Sequence, residues 1–156
     1  VIVDFATVSN AQLNFIREQG FEQPDLSSCG LQYSALMFQP RIVALTFLFA
    51  AIFQSPLLFL ILGTVLLLSA VIPAANPFEL VYNLVSRTKL GRAPAPRRFA
   101  QGMAGTFGLA IAGCLSMNWA VAAIALQVAM AIAIGALLFA KFCFGSFIYH
   151  LFARLR

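Results

Sequence analysis

One histidine and three cysteines are the residues of this chain best able to do chemistry. Cys29, Cys114 and Cys143 show no paired spacing, so neither a zinc site nor a disulfide framework is expected. Cys114 falls inside an apolar run, where a cysteine behaves as a small packing residue. Cys143 is the possible working thiol, and Cys29 could approach it as a redox partner. His150 stands in the closing stretch "FAKFCFGSFIYHLFARLR". A neutral imidazole can ligate a haem or chlorophyll metal, so His150 is a candidate contact for such a pigment. A sole histidine supplies at most one such ligand, and the sequence requires no cofactor. The aromatic neighbours Phe142, Phe144, Phe147, Tyr149 and Phe152 read as an interfacial belt, with Arg154 and Arg156 as anchors.

The elements that must position these groups follow from charge. The chain has 156 residues, 62% hydrophobic and 10% charged, with a net charge of +5. No ionisable Asp, Glu, Lys, Arg or His lies between Arg41 and Glu79, nor between Arg98 and Lys141. A helical span needs on the order of 20 residues to cross a hydrocarbon core of ~30 Å, so each gap has room for two. The first gap breaks at Gln54-Ser55-Pro56 and the second at Met117-Asn118-Trp119. The expected spans are residues 40–53, 57–75, 99–117 and 120–142. The first is short, covering only about 21 Å at the helical rise, and a re-entrant hairpin is its rival reading. It begins some forty residues in, behind a polar segment, unlike a cleavable signal peptide.

The expected fold class is therefore all-α: a polytopic membrane protein with four transmembrane helices in two hairpins, plus short amphipathic interfacial helices. Its organisation divides into an amino-terminal segment (1–39), a first hairpin (40–75), an interfacial helix and basic loop (76–98), a second hairpin (99–142) and an aromatic, basic tail (143–156). Neither hairpin turn carries charge, so the positive-inside rule puts both termini and the central loop on the cytoplasmic side.

In "SNAQLNFIREQG" Ser9 can cap a helix and Gly20 can stop it. Leu13, Phe15 and Ile16 would face the membrane or a partner. "NPFELVYNLV" starts a second helix with Asn76 as cap, Pro77 in its first position and Glu79 in its first turn. Phe78, Val81, Leu84 and Val85 then share a face for the headgroup layer. Arg87, Lys89, Arg92, Arg97 and Arg98 follow, suited to anionic lipid at ~1 kcal/mol each or to an acidic partner. Nucleic acid is not an expected partner, because interleaved aromatics and a folded reader are missing.

Ala100, Ala104, Gly108 and Ala112 recur at spacing four, and Ala125, Ala129 and Ala133, with Ala131 and Gly135, answer in the last span. Such rows let helix backbones approach, so the third and fourth spans are expected to pack together or against another subunit. Gln127 reads as an interhelical hydrogen-bonding group. No span holds an ionisable group well inside the bilayer, which argues against ion-coupled transport. Two Asp and three Glu, all outside the spans, leave few candidates for acid–base catalysis.

The stretches "FQPRIVA", "ANPFELVYNLV", "APRRFAQGMAGTFGLA" and "FCFGSFIY" occur in an order that resembles a family of small bacterial integral membrane proteins of unknown function. The resemblance covers about residues 36–152. It implies a four-span layout and a Phe-Cys-x-x-Cys-like ending, hence thiol or sulfur chemistry at the cytoplasmic face. Here Ser146 stands at the second cysteine position. The reading is a non-catalytic accessory or scaffold subunit of a larger membrane complex, such as a respiratory or photosynthetic electron-transfer assembly. The alternatives are a membrane thiol protein or small permease using Cys143, and a pigment or haem contact through His150.

Overall fold

The computed structural model describes residues 10–21, 29–86 and 93–155. Seven α-helices run through them: α1 (Asn10–Glu18), α2 (Cys29–Ile52), α3 (Pro56–Val71), α4 (Pro77–Ser86), α5 (Ala95–Ser116), α6 (Ala120–Phe139) and α7 (Phe144–Arg154). No strand occurs among the described residues. Three helices are long and apolar enough to cross a membrane: α2 from Tyr33 to Ile52, α5 and α6. The apolar α3 has 16 residues, or about 24 Å of rise.

The short apolar helix is thus α3, whereas the sequence pointed to the one before it. α2 does not begin at Pro40 but passes through it. A proline there removes one helical hydrogen bond. The preceding turn nevertheless stays helical, with Ala35, Leu36, Met37 and Gln39 all buried, and Leu36 and Met37 packed against Phe15 and Ile16 of α1. At the other end, α3 stops at Val71 rather than at residue 75. Ile72 precedes a proline and takes an extended φ of −118°, away from the helical region. A single 3₁₀ turn, Pro73–Ala75, leads to α4. α6 likewise ends at Phe139, before Lys141 adopts a φ of +54°. The expected tail is instead a separate amphipathic helix, α7.

Local chemistry explains the remaining boundaries. Gln54 and Asn118 turn the chain with φ of +45° and +58°. Ser55 caps α3 by accepting from the Leu58 amide, with Pro56 in the first helical position. Asn76 caps α4 by accepting from the Phe78 amide at 3.1 Å. Gly20 ends α1 at φ +84°, and the Phe21 amide donates to the Ile16 carbonyl, as a left-handed stop requires. Ser9 lies outside the described residues.

The core is built mainly from α2 (Val43, Phe47, Ala50), α3 (Phe59, Leu62, Leu66), α5 (Ile111, Ala112) and α6 (Met130). The most extensive helix pair is α3 with α5. Their backbones meet through glycine: a methyl at Gly63 would stand 2.9 Å from the Gly105 carbonyl oxygen, and one at Gly108 would stand 3.0 Å from the Gly63 Cα. The row of small residues on α5 is therefore divided among neighbours. Gly108 lies on α3, Ala112 joins the core, Ala104 packs at its edge, and Ala100 lies under Gly145 of α7. α6 does pack on α5, but its Gly135 has nothing within 4 Å of a would-be Cβ.

Gln127 and Gln54 exchange two hydrogen bonds, 3.0 and 3.1 Å, tying α6 to the turn before α3. Interhelical side-chain hydrogen bonds of this kind contribute about 0.6 kcal/mol on average. Gln127→Leu should accordingly cost about 1 kcal/mol or less in detergent unfolding. A loss of several kcal/mol would mean that this pair does more than join helices.

α1 does not turn its apolar side outward. Phe15 and Ile16 are buried against Leu36, Met37, Leu137 and Leu138, which closes one end of the bundle. Phe15 also meets Tyr33 edge-on, and Lys141 stands 5.6 Å from the Tyr33 ring centre. By contrast α4 exposes Leu80, Val81 and Leu84, and α7 exposes Phe147, Leu151 and Phe152. Phe78 turns inward to the core, and nothing is described for the Val85 side chain.

Candidate functional site

Where α1 and α7 meet α2, α5 and α6, a cavity of about 170 Å³ opens inside the bundle. Small residues make it: Ala104 of α5 and Ala129 and Ala133 of α6 line it, leaving space where larger side chains would have filled the gap. Most of its wall is apolar, including Val43, Leu66 and Met130. The polar residues among the described ones that line it are Gln19, Gln39, Arg97, Gln101 and Cys143.

Arg97 is the decisive member. It lies in the first turn of α5 and is only 7% exposed, with Gln39 at 5% and Gln101 at 6%. A guanidinium only donates, so the atom of Gln39 facing it must be oxygen. Arg97 Nη2 donates to Gln39 Oε1 at 3.1 Å. That same oxygen can be met by Gln101 only through its NH₂, and Gln101 Nε2 donates to it at 2.9 Å. Gln101 Oε1 is then left over, buried and without a partner. Donor and acceptor chemistry thus orients both amides and leaves one buried acceptor without a partner.

Among the described residues no carboxylate is within ion-pair distance of Arg97. Glu79 of α4 acts on it only through the field. Burial pushes the Glu79 carboxyl above the usual carboxylate range, and the Arg97 charge works in the opposite sense. The position of Arg97 is doubly unfavourable for a cation: it is desolvated, and it sits at the positive end of a helix. Cys143 is as buried as Arg97, at 7% exposure, and forms the N-cap of α7 without a side-chain capping bond. Two helix amino-termini, those of α5 and α7, therefore converge on the cavity.

Arg97 does not stand with the surface cations that the sequence suggested for lipid or partner contact. Arg98 is partly buried, and its Nε donates at 2.8 Å to the Ala70 carbonyl at the end of α3, a position that suits a cation. Arg87, Lys89 and Arg92 lie outside the described residues, as does the Cys29 side chain. Cys114 is partly buried in α5 and Cys143 is a free thiol. His150 Nε2 lies 3.1 Å from the Glu18 carbonyl oxygen. A carbonyl can only accept, so that nitrogen carries the proton, and a metal there would displace the bond. The ring thus ties α7 to α1. Burial raises the Glu18 carboxyl, opposed by His150. No group of three or more potential metal ligands occurs among the described residues. Ser146, at the position where the resemblance implied cysteine, is wholly buried with its Oγ unpartnered.

Gly145 sets how closely α7 seats. A methyl at Gly145 would lie 2.5 Å from both Cα and Cβ of Ala100, and a Cα cannot yield without moving α5. Gly145→Ala should lift the start of α7 and expose Cys143. Overpacking of about 1–3 kcal/mol corresponds to an increase of roughly fivefold to a hundredfold in the rate of Cys143 alkylation by iodoacetamide. An unchanged rate would mean that α7 does not cover the thiol.

Residues 33–154 match the family described as Domain of unknown function (DUF4395). No curated protein and no solved structure matches the chain.

Proposed function

This chain belongs to the DUF4395 family, a domain of unknown function, and we propose that it is a four-span membrane protein holding a small ligand against the Cys143 thiol. α2 with α3, and α5 with α6, form the two hairpins. Both termini and the basic loop face the cytoplasm of a bacterial inner membrane, since all ten Lys and Arg lie on that side of the turns. The short α3 is accommodated by local thinning of the bilayer. Ser55→Cys, in the turn before α3, should be labelled by a membrane-impermeant maleimide added from outside; protection there would count against this orientation.

The observation that carries the ligand-binding reading is Arg97, buried on the wall of a cavity with one hydrogen bond and no ion pair among the described residues. A charge in that setting is costly unless something compensates it. A lipid- or partner-contacting arginine would have no reason to turn inward. The test is a native mass spectrum of the protein extracted gently from its own membrane. A small added mass in the wild type, lost in Arg97→Met, supports the reading. Identical bare masses for the two would sink it.

A scaffold role has one observation in its favour. α6 is the least buried of the long apolar helices, with 17% of its most apolar window inside the bundle against 39% for α2. Its exposed Val121, Ile124, Val128, Ile132 and Phe139 would seat a partner helix as readily as lipid. Co-migration with a larger assembly on a native gel would favour that role. Migration alone would remove it.

A further inference from the structure

Building on the ligand-binding reading above, we infer that the ligand of this cavity is a small oxyanion that also carries a hydrogen-bond donor. Charge sets the first property. Arg97 spends one donor on Gln39, and no other hydrogen bond from the guanidinium occurs among the described residues. Among the described residues that line the cavity there is no carboxylate. The start of α7 reaches the same wall at Cys143, Phe144 and Gly145, and its amino-terminal turn adds partial positive charge. Two independent sources of positive potential, one of them a side chain buried by more than nine-tenths, face a space to which no described lining residue brings a carboxylate.

The orphaned acceptor sets the second property. Gln101 gives its amide NH₂ to Gln39 Oε1, the oxygen that also accepts from Arg97, and its own Oε1 is left without a partner. A buried acceptor with nothing to accept is expensive, and a ligand hydroxyl or N–H relieves it. Volume sets the size. About 170 Å³ compares with roughly 150 Å³ for a cavity that admits benzene, so about half a dozen heavy atoms fit. The chemistry is that of a free hydroxy-acid anion, or of a lipid phosphate whose headgroup bears hydroxyls.

The experiment uses the full chain in phosphatidylcholine nanodiscs and follows alkylation of Cys143 by iodoacetamide, read on its own peptide by mass spectrometry. Three small probes are compared: glycolate (anion and donor), acetate (anion only) and glycolamide (donor only). Glycolate should protect Cys143 at concentrations about fivefold to tenfold below acetate, the difference one hydrogen bond makes. Glycolamide should not protect. Gln101→Leu should bring glycolate to the level of acetate, and Arg97→Met should abolish protection by both. Thermal unfolding of each variant, with and without glycolate, distinguishes a lost site from a lost fold. A second arm replaces part of the phosphatidylcholine with phosphatidylglycerol; protection without added glycolate identifies the lipid headgroup as the source. Protection by glycolamide equal to that by glycolate overturns the oxyanion, while the ligand-binding reading stands. If no probe and no lipid protects, yet native mass spectra show a neutral ligand, the oxyanion again falls alone. With no ligand of any kind, both fall.

Discussion

Gly105→Ala should destabilise this protein by about 1–3 kcal/mol, although alanine is the better helix former. The added methyl would stand 2.8 Å from Leu67 Cγ, 2.9 Å from the Leu67 amide nitrogen and 2.9 Å from the Gly63 carbonyl oxygen. Two of those atoms are backbone, so relief requires α3 and α5 to separate along their length. Between apolar helices in lipid, close packing is most of what holds them together, so separation forfeits the interface. Gly63→Ala meets the Leu109 amide nitrogen at 2.8 Å and should cost a similar amount. The two together should cost less than their sum, because one displacement relieves both. Gly113→Ala and Gly135→Ala supply the contrast: neither would meet anything within 4 Å, and each should gain about 0.5–1 kcal/mol from helix propensity. Unfolding in mixed detergent–SDS micelles, followed by circular dichroism, reads all four. If all four shift stability the same way, the glycine contact is not what holds α3 to α5.

The second large effect is an asymmetry between Gln39 and Arg97. Gln39→Leu removes the acceptor of both Arg97 and Gln101, leaving a buried guanidinium without its hydrogen bond. Hydrogen bonds to charged groups contribute about 1.5–3 kcal/mol, and a stranded buried donor adds to the loss, so a cost of about 3 kcal/mol is expected. Arg97→Met in the same background should restore much of it, because replacing a buried charge by an apolar side chain of similar volume is often neutral or stabilising. The double variant should therefore be more stable than Gln39→Leu alone, by about 2 kcal/mol or more. Additive losses across the cycle would mean that the two side chains do not share a network. Together with the loss of glycolate protection in Arg97→Met, this would mark Arg97 as retained for binding at the expense of stability.

Much of the local structure was legible in the sequence because one or two residues decide it. Ser55-Pro56 starts a helix by capping and by a pre-set φ, Asn76-Pro77 does the same, and Gly20 ends one at positive φ. Each is a short-range backbone effect that any surroundings would permit. Pro40 was misleading for the complementary reason. A proline reads as a boundary locally, but burial of Leu36 and Met37 against α1 carries the helix through it. The small-residue rows were visible too, yet spacing alone could not tell that Gly108 would touch Gly63 while Gly135 would touch nothing within 4 Å.

The polar site was present as letters and hidden as an arrangement. Arg97 and Arg98 are neighbours in "APRRFAQ" and look equivalent as part of a basic loop. On a helix they point about 100° apart. That rotation sends Arg97 to Gln39 and the cavity, and Arg98 to the Ala70 carbonyl. The spacing of Arg97 and Gln101, four residues apart on one helical face, was the available signal. Composition, charge-free runs and turn residues by themselves determined that the chain is helical, that long apolar helices are present and where the chain turns. Those properties depend on residues within a few positions of one another. Only the tertiary structure decided which small residues make contacts and which leave a cavity, and which of two adjacent arginines is buried beside Cys143. Those outcomes depend on the rotation of each helix against neighbours tens of residues away, and no local sequence signal carries that phase.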